Sequence, residues 1–341
     1  MPHSPESLVR LLVHPSQFPE AIEFSMRESL RLRVMNHKFH YDTPKQTLKW
    51  LQLHEAFSPA RTDPDCVRIY DQAFDHCVTS MPSARSIEVV SLGSGGGQKE
   101  AGLFQRLAAA LPRACLSYVP VDVSSGLALT SRAAALAVGV KADNITPVVI
   151  DLAQAQVWAS DLSPALRDVD QRIVCFFGML PNFHQQEVMP QLAAMVRPSD
   201  RLLMSANLAP GGDYTQGVQQ ILPLYDNALT RDWLGSVLSD LGVDDSDVSM
   251  SFRVVADADE GALLRIESTV TFLRSCRVRY GNRNYDYAAG EIFRLFFSYR
   301  HTPERLAAML KKHGLPMEAR WINASGEEGV FLVRSVDGRG K

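Results

Sequence analysis

The chain reads as an α/β protein: a doubly wound, mostly parallel sheet with a second α+β part attached. From about residue 86, short and nearly continuous apolar runs alternate with helical patterns, and a glycine-rich turn follows the first such run. The chain's size allows the second part. Its 341 residues, 46% of them hydrophobic, supply material for one large or two medium cores.

Taken in order, residues 1–84 are helical in pattern, with turns at Pro15, Pro44 and Pro59. Residues 87–92 form a strand that runs into glycines. Residues 99–111 carry Leu103, Leu107 and Leu111 at helical spacing and stop before Pro112. Strands at 116–123, 145–150, 172–178 and 201–206 alternate with helices at 124–138 and 184–196. Pro210-Gly211-Gly212 then breaks the pattern. A helical stretch to about Leu241 precedes alternating strands at 249–256, 263–273 and 292–299, and the end resumes with a helix at 303–313 and strands at 316–322 and 330–336. These changes predict a core domain over residues 85–210 and 301–341 and an inserted α+β substrate domain over 211–300. The N-terminal segment, 1–84, is expected to contribute to the substrate domain.

With 35 basic and 38 acidic residues the net charge is −3, which excludes a nucleic-acid binder working by bulk positive charge. The opening residues hold no apolar run long enough for a secretion signal. The longest stretch without Asp, Glu, Lys or Arg, residues 173–186, is too short to span a bilayer. Five scattered cysteines with no Cys-x-x-Cys pair suggest neither a zinc site nor a disulfide framework, and Cys115 and Cys175 fall in strands where buried thiols are common. The expectation is a cytoplasmic, metal-free monomer or homodimer. Its partner is a small molecule, with no nucleic acid and no membrane.

Gly93-Ser94-Gly95-Gly96-Gly97 sits between the first strand and the first helix of the alternating region. Glycines there let the backbone turn tightly and approach a ligand, with a helix N-terminus behind it. Position 98 is Gln, so the spacing is Gly-x-Gly-x-Gly and not the Gly-x-Gly-x-x-Gly of dinucleotide binders. The former is the pattern of S-adenosylmethionine-dependent methyltransferases. Asp122 ends the next strand, where an acidic residue would accept ribose hydroxyls; Asp151 closes the third, with Leu152 beside it. Asp151 could meet an adenine amino group or cap the following helix.

Several segments together resemble the histidine-specific, ergothioneine-pathway type of S-adenosylmethionine-dependent methyltransferases, which methylate the α-amino nitrogen of an amino acid. They are Lys38-Phe39-His40-Tyr41-Asp42, Gly93-Ser94-Gly95 with Lys99, Tyr118-Val119-Pro120-Val121-Asp122-Val123-Ser124 and Phe177-Gly178-Met179-Leu180-Pro181-Asn182-Phe183, followed by Leu224-Tyr225-Asp226 and Ser298-Tyr299-Arg300. The resemblance spans nearly the whole chain and implies a class I methyltransferase Rossmann-like fold. It implies Gly93, Ser94, Gly95, Lys99, Asp122, Asp151, Leu152 and Gly178 around S-adenosylmethionine, with Lys99 on the methionyl carboxylate. Tyr41, Asn182 and Tyr225 would hold the acceptor's amino acid end, with Ser298 beside them. Tyr41 and Asn182 are the expected orienting, catalytic pair. Asparagine offers both donor and acceptor, and so does a tyrosine hydroxyl.

The departures from the family pattern concern the acceptor. Where the family grips the imidazole with a tyrosine and a glutamate, this chain has Phe57 and Phe296. Burying an imidazole without partners costs about 1–3 kcal/mol per lost hydrogen bond. An apolar or aromatic amino acid, or a derivative of one, is therefore expected as the acceptor in place of histidine. Two milder departures are Ser91, where an acidic residue is usual before the first glycine, and Pro181, where the family has Gly. The expected chemistry is displacement by a neutral amine, releasing S-adenosylhomocysteine, with no covalent nucleophile. Two alternatives remain: a non-catalytic binding protein that retains the fold, and an NAD(P)-dependent oxidoreductase, for which the glycine spacing is wrong.

Overall fold

The computed structural model describes residues 8–81 and 84–336. Residues 1–7, part of the segment expected to lack a secretion signal, and residues 337–341, expected in the core domain, lie outside the described residues.

The chain opens with an edge strand, β1 (Leu12–Val13), followed by α1 (Pro19–Leu32), α2 (Pro44–Phe57), the short α3 (Pro59–Thr62) and α4 (Pro64–Thr79). All four helices begin on proline, whose missing N–H is not needed in a first turn. Then come β2 (Ser86–Leu92), α5 (Gln98–Ala110), β3 (Cys115–Asp122), α6 (Ser125–Ala137), β4 (Val148–Val149), α7 (Trp158–Leu162), β5 (Gln171–Phe176), α8 (Gln185–Met195) and β6 (Arg201–Asn207). The remainder is α9 (Tyr214–Tyr225), α10 (Ala228–Asp240), β7 (Val248–Asp257), β8 (Leu263–Phe272), β9 (Cys276–Tyr280), β10 (Arg283–Tyr287), β11 (Ile292–Tyr299), α11 (Pro303–Lys312), β12 (Met317–Ile322) and β13 (Glu328–Val333).

The main sheet has eight strands in the order β1-β4-β3-β2-β5-β6-β13-β12. The first six of these run parallel, and β13 enters antiparallel between β6 and β12. The order reverses at β2, which has β3 on one side and β5 on the other. Ligands bind α/β sheets at such a reversal, beyond the carboxyl ends of the strands. The class I methyltransferase-type doubly wound sheet expected from the sequence is the observed one. A separate antiparallel sheet, β11-β8-β7, and the hairpin β9–β10 form the additional strands. Among the described residues no helix is long and apolar enough to cross a membrane.

Several elements differ from expectation. The N-terminal helices divide between two cores. Leu30 of α1 and Phe39 pack with Trp233 of α10 and with Phe293 and Phe296 of β11. In contrast, Cys66, Ile69, Tyr70 and Phe74 of α4 pack on Ile87 and Val89 of the main sheet. Helical periodicity marks an apolar face without saying what will cover it. The long helical stretch after Gly212 breaks into α9 and α10, because the Asn227 side chain accepts the Thr230 N–H at 2.9 Å and starts a new helix. The expected strand at 145–150 contracts to β4. The β9–β10 hairpin, absent from the reading above, turns on Gly281-Asn282 with Gly281 at φ 57°. Cys175 is buried as expected, whereas Cys115, first residue of β3, is exposed.

Candidate active site

A cavity of about 570 Å³ opens over the carboxyl ends of β2, β3 and β5, walled on its other side by α2, α10 and β11. All the residues expected at the site line it: Tyr41, Phe57, Gly93, Ser94, Gly95, Lys99, Asp122, Asp151, Leu152, Gly178, Asn182, Tyr225, Phe296 and Ser298.

One half is built from main-sheet loops. Gly93 turns at φ 73°, and a Cβ there would lie 2.2 Å from the Met179 Sδ, so only glycine fits this approach without displacing Met179. Helix α5 starts behind the loop with Gly97 as its cap and no side chain over its first N–H groups. Asp122 at the end of β3 accepts the Gly95 N–H on Oδ2 and the Ser124 N–H on Oδ1, each at 3.0 Å, so the carboxylate ties the glycine loop to the next strand. Each oxygen keeps a lone pair. Burial raises its pKa to about 6, against the opposing pull of those N–H groups.

Asp151 accepts the Ala153 N–H at 3.0 Å on Oδ1. Its Oδ2 is buried with no hydrogen-bond partner, 3.8 Å from the buried Lys38 ammonium. Burial raises the Asp151 carboxyl and lowers the Lys38 ammonium, while each draws the other back. The Ser94 hydroxyl is likewise buried and unpartnered. Leu152 is 6% exposed, and the Gly178 N–H donates to the Ser205 hydroxyl at 2.9 Å. These features fit an adenosyl group, which brings a diol for Asp122, an amine for Asp151 and an apolar ring face for Leu152. Lys99 is not the solvated first-turn lysine that its position suggests. Its ammonium donates to the Tyr70 hydroxyl at 2.7 Å and lies 3.9 Å from Glu328, and Tyr70 in turn donates to Glu328.

The other half is aromatic. The Tyr41 ring meets Trp50 at 6.0 Å and Trp233 at 5.4 Å, both edge to face. Burial raises the Tyr41 phenol above its ordinary range, with Asp122 adding to the effect. Phe296 is 7% exposed and lies edge-on to Trp233 at 5.6 Å. His37 stacks on Phe296 at 4.8 Å. Its Nε2 accepts the Phe297 N–H at 3.3 Å, and burial holds the imidazole neutral, well below its ordinary pKa. The Asn182 side chain has no hydrogen-bond partner among the described residues, and the cap position of α8 belongs to His184. Tyr225 donates to the Ser298 hydroxyl at 2.8 Å.

Phe57 and Phe296 both line the cavity but at different depths. Phe57 ends α2 at the cavity rim, is 51% exposed, and does not meet the Phe296 ring. Sequence reasoning missed Trp50, Trp233, His37 and Tyr70. None lies in a motif read for chemistry, and only the fold brings them to one cavity.

Together, the sheet order, the glycine turn at its reversal and the two carboxylates at successive strand ends define a nucleotide-binding enzyme of the methyltransferase type. The chain matches the family described as "Histidine-specific methyltransferase, SAM-dependent" over residues 34–335, and it belongs to that family. It is a methyltransferase that uses S-adenosylmethionine, which removes the oxidoreductase and binding-protein alternatives. The histidine N-alpha-methyltransferase of Mycolicibacterium smegmatis (strain ATCC 700084 / mc(2)155) is 26% identical over 292 residues, 81% of this chain and 82% of that protein. Two solved structures resemble the chain at 13% identity. They are the magnesium protoporphyrin IX methyltransferase of Synechocystis PCC 6803 with bound SAH (87% of this chain, 97% of that one, TM-score 0.43) and the CcbJ methyltransferase of Streptomyces caelestis (80% and 96%, TM-score 0.39).

Proposed function

We propose that the enzyme methylates the amine nitrogen of an amino acid, or a derivative of one, whose side chain is apolar or aromatic. S-adenosylmethionine supplies, when bound, a methyl group activated by its sulfonium. Gly93, Ser94, Gly95, Asp122, Asp151, Leu152 and Gly178 would hold it, with Lys99 at the methionyl end. Asn182 and Tyr41 would orient the acceptor amine, which is where much of the rate of such a reaction originates. The raised Tyr41 phenol stays protonated and serves as a hydrogen-bonding group, not as a phenolate base. The dry wall of Trp50, Trp233 and Phe296 disfavours a charged ammonium, so the nucleophilic neutral amine is the better-tolerated form.

The observation that carries the acceptor assignment is Phe296. Its ring is buried in the inner wall between Trp233 and His37, where the family pattern has a carboxylate. A neutral imidazole stacked on a phenyl ring offers flat apolar contact and no counter-charge for a histidine side chain. Histidine is the second reading, carried by the name of the mycolicibacterial relative. Methyl transfer to phenylalanine, tryptophan and histidine, followed by mass spectrometry, separates the two. Faster turnover of an aromatic acceptor is expected. Faster turnover of histidine overturns the assignment.

A further inference from the structure

Lys99 shares its end of the cavity with a carboxylate that lies in none of the sequence motifs. Glu328 opens β13, and its register partner is Asn207 at the carboxyl end of β6. Because β13 runs antiparallel to β6, its first residue comes to the cavity end of the sheet. The side chain is 8% exposed and lines the cavity, as do Lys99 and Tyr70. Among the described residues it is the carboxylate that pairs with Lys99, at 3.9 Å. Two other acids of the cavity wall are engaged elsewhere. Asp71 pairs with Arg106 at 2.7 Å, and Glu100 accepts the Ser91 hydroxyl at 2.6 Å.

Lys99, Tyr70 and Glu328 are joined but not saturated. Lys99 donates to the Tyr70 hydroxyl at 2.7 Å, and Tyr70 donates to Glu328 Oε1. Burial and the adjacent carboxylate raise the Tyr70 phenol, so it keeps the proton it donates. At 3.9 Å the ammonium and the carboxylate are beyond hydrogen-bonding distance of each other. Lys99 otherwise lies over the rings of Tyr70, at 4.3 Å, and Phe177, at 5.6 Å, so part of its donor capacity is unspent. A carboxylate accepts about four hydrogen bonds. Glu328 has that of Tyr70, with the Cys66 thiol, a weak donor, as a further polar neighbour. A cation and an anion side by side on a cavity wall, each with capacity left, match a zwitterion that carries both charges on one carbon.

We propose that Glu328 binds the ammonium of the methionyl group of S-adenosylmethionine, while Lys99 meets the carboxylate. The residue that completes the donor's amino acid end thus comes from β13, outside the glycine loop and the strand ends that hold the adenosyl part. The inference rests on the placement of the methionyl end at Lys99 and is independent of which acceptor is methylated.

The test is calorimetric titration of the whole protein with S-adenosylhomocysteine and with its deaminated analogue, which keeps the carboxylate and carries hydrogen in place of the amino group. Wild type should bind S-adenosylhomocysteine about tenfold or more tighter than the analogue, the worth of a charge-assisted contact. Glu328→Gln should bring the two affinities to within about twofold of each other by weakening S-adenosylhomocysteine alone. Lys99→Met should weaken both ligands and keep their ratio. A merely structural role for Glu328 would weaken both ligands alike. Equal affinities in wild type, or an undiminished ratio in Glu328→Gln, overturn the proposal. If Glu328→Gln does not fold, Glu328→Met makes the same comparison without a buried amide to satisfy. Undiminished binding of both ligands by Lys99→Met would instead count against placing the methionyl end at Lys99.

Discussion

The hydroxyl of Ser91, the next-to-last residue of β2 before the glycine loop, donates a 2.6 Å hydrogen bond to Oε1 of Glu100 in the first turn of α5, and both side chains are buried. The sequence presents Ser91 as a defect, a neutral residue where the family carries an acid. The fold supplies the acid from the helix instead. Burial raises the Glu100 carboxyl, and the Ser91 bond partly offsets this. Glu100→Ala should cost about 1–3 kcal/mol of stability, because it strands a buried hydroxyl. Glu100→Gln keeps an acceptor for Ser91 and should cost less. Urea denaturation of the two variants gives the comparison, and equal losses would show that the pairing contributes nothing.

Two glycines of the loop should respond differently to alanine. A Cβ on Gly93 meets the thioether of Met179, a side chain that can swing away. A Cβ on Gly97 meets the Ser131 Cα at 2.6 Å, and that backbone belongs to α6. Both positions have positive φ, 73° and 74°, which penalises any Cβ by about 1–2 kcal/mol. Gly97→Ala should therefore be the more destabilising by about 1–3 kcal/mol, the range of overpacking. A thermal midpoint for Gly93→Ala at or below that of Gly97→Ala would contradict this.

The contrast between Ser91 and Gly93 shows which parts of the site were legible. Gly93, Asp122 and Asp151 could be read because each sits at a strand end, and strand ends in a parallel sheet have fixed places relative to one another. The aromatic half could not. Trp50 on α2 and Trp233 on α10 are far apart in the chain, and helical periodicity gives each an apolar face without naming its neighbour. Nor does periodicity tell that α4 packs on the main sheet while α1 packs with α10 and β11. Phe57 and Phe296 looked equivalent as letters, yet one closes a helix at the rim and the other lies inside a strand of the inner wall. Glu100 escaped notice because its partner is a side chain on another element, a relationship that no local pattern encodes.

Asp122 links pH to ligand binding with two opposite signs. Its carboxyl is raised from 3.8 to about 6 in the folded protein, chiefly by burial. Folding therefore favours its protonated form. That contribution is fully present below the unfolded pKa and is lost as pH rises through about 6. Binding runs the other way, since the lone pairs offered to a ribose diol are those of the carboxylate. S-adenosylhomocysteine affinity should weaken as pH falls through about 6, while Asp122→Asn should bind weakly with a flat profile across about pH 5 to 8. Calorimetric titration of both proteins over that range is the measurement. A flat wild-type profile would detach Asp122 from the ligand.

Phe57 and Phe296 finally separate stability from recognition. Phe296 packs in the core shared by Phe39, Trp233 and Phe293, so Phe296→Ala should cost about 3–5 kcal/mol. Phe57 is half in solvent, and Phe57→Ala should stay within about 0.5 kcal/mol of wild type. Its effect should appear as a modest rise in KM for a large acceptor, with the thermal midpoint unchanged. Phe296→Tyr tests recognition without opening a cavity, because it keeps the ring that stacks on the neutral His37 and adds only a hydroxyl. That variant should narrow the preference for aromatic acceptors over histidine, because a polar ring would then find a hydrogen-bond partner in the inner wall. An unchanged ratio of histidine to phenylalanine turnover in Phe296→Tyr would mean that the acceptor ring lies elsewhere in the cavity.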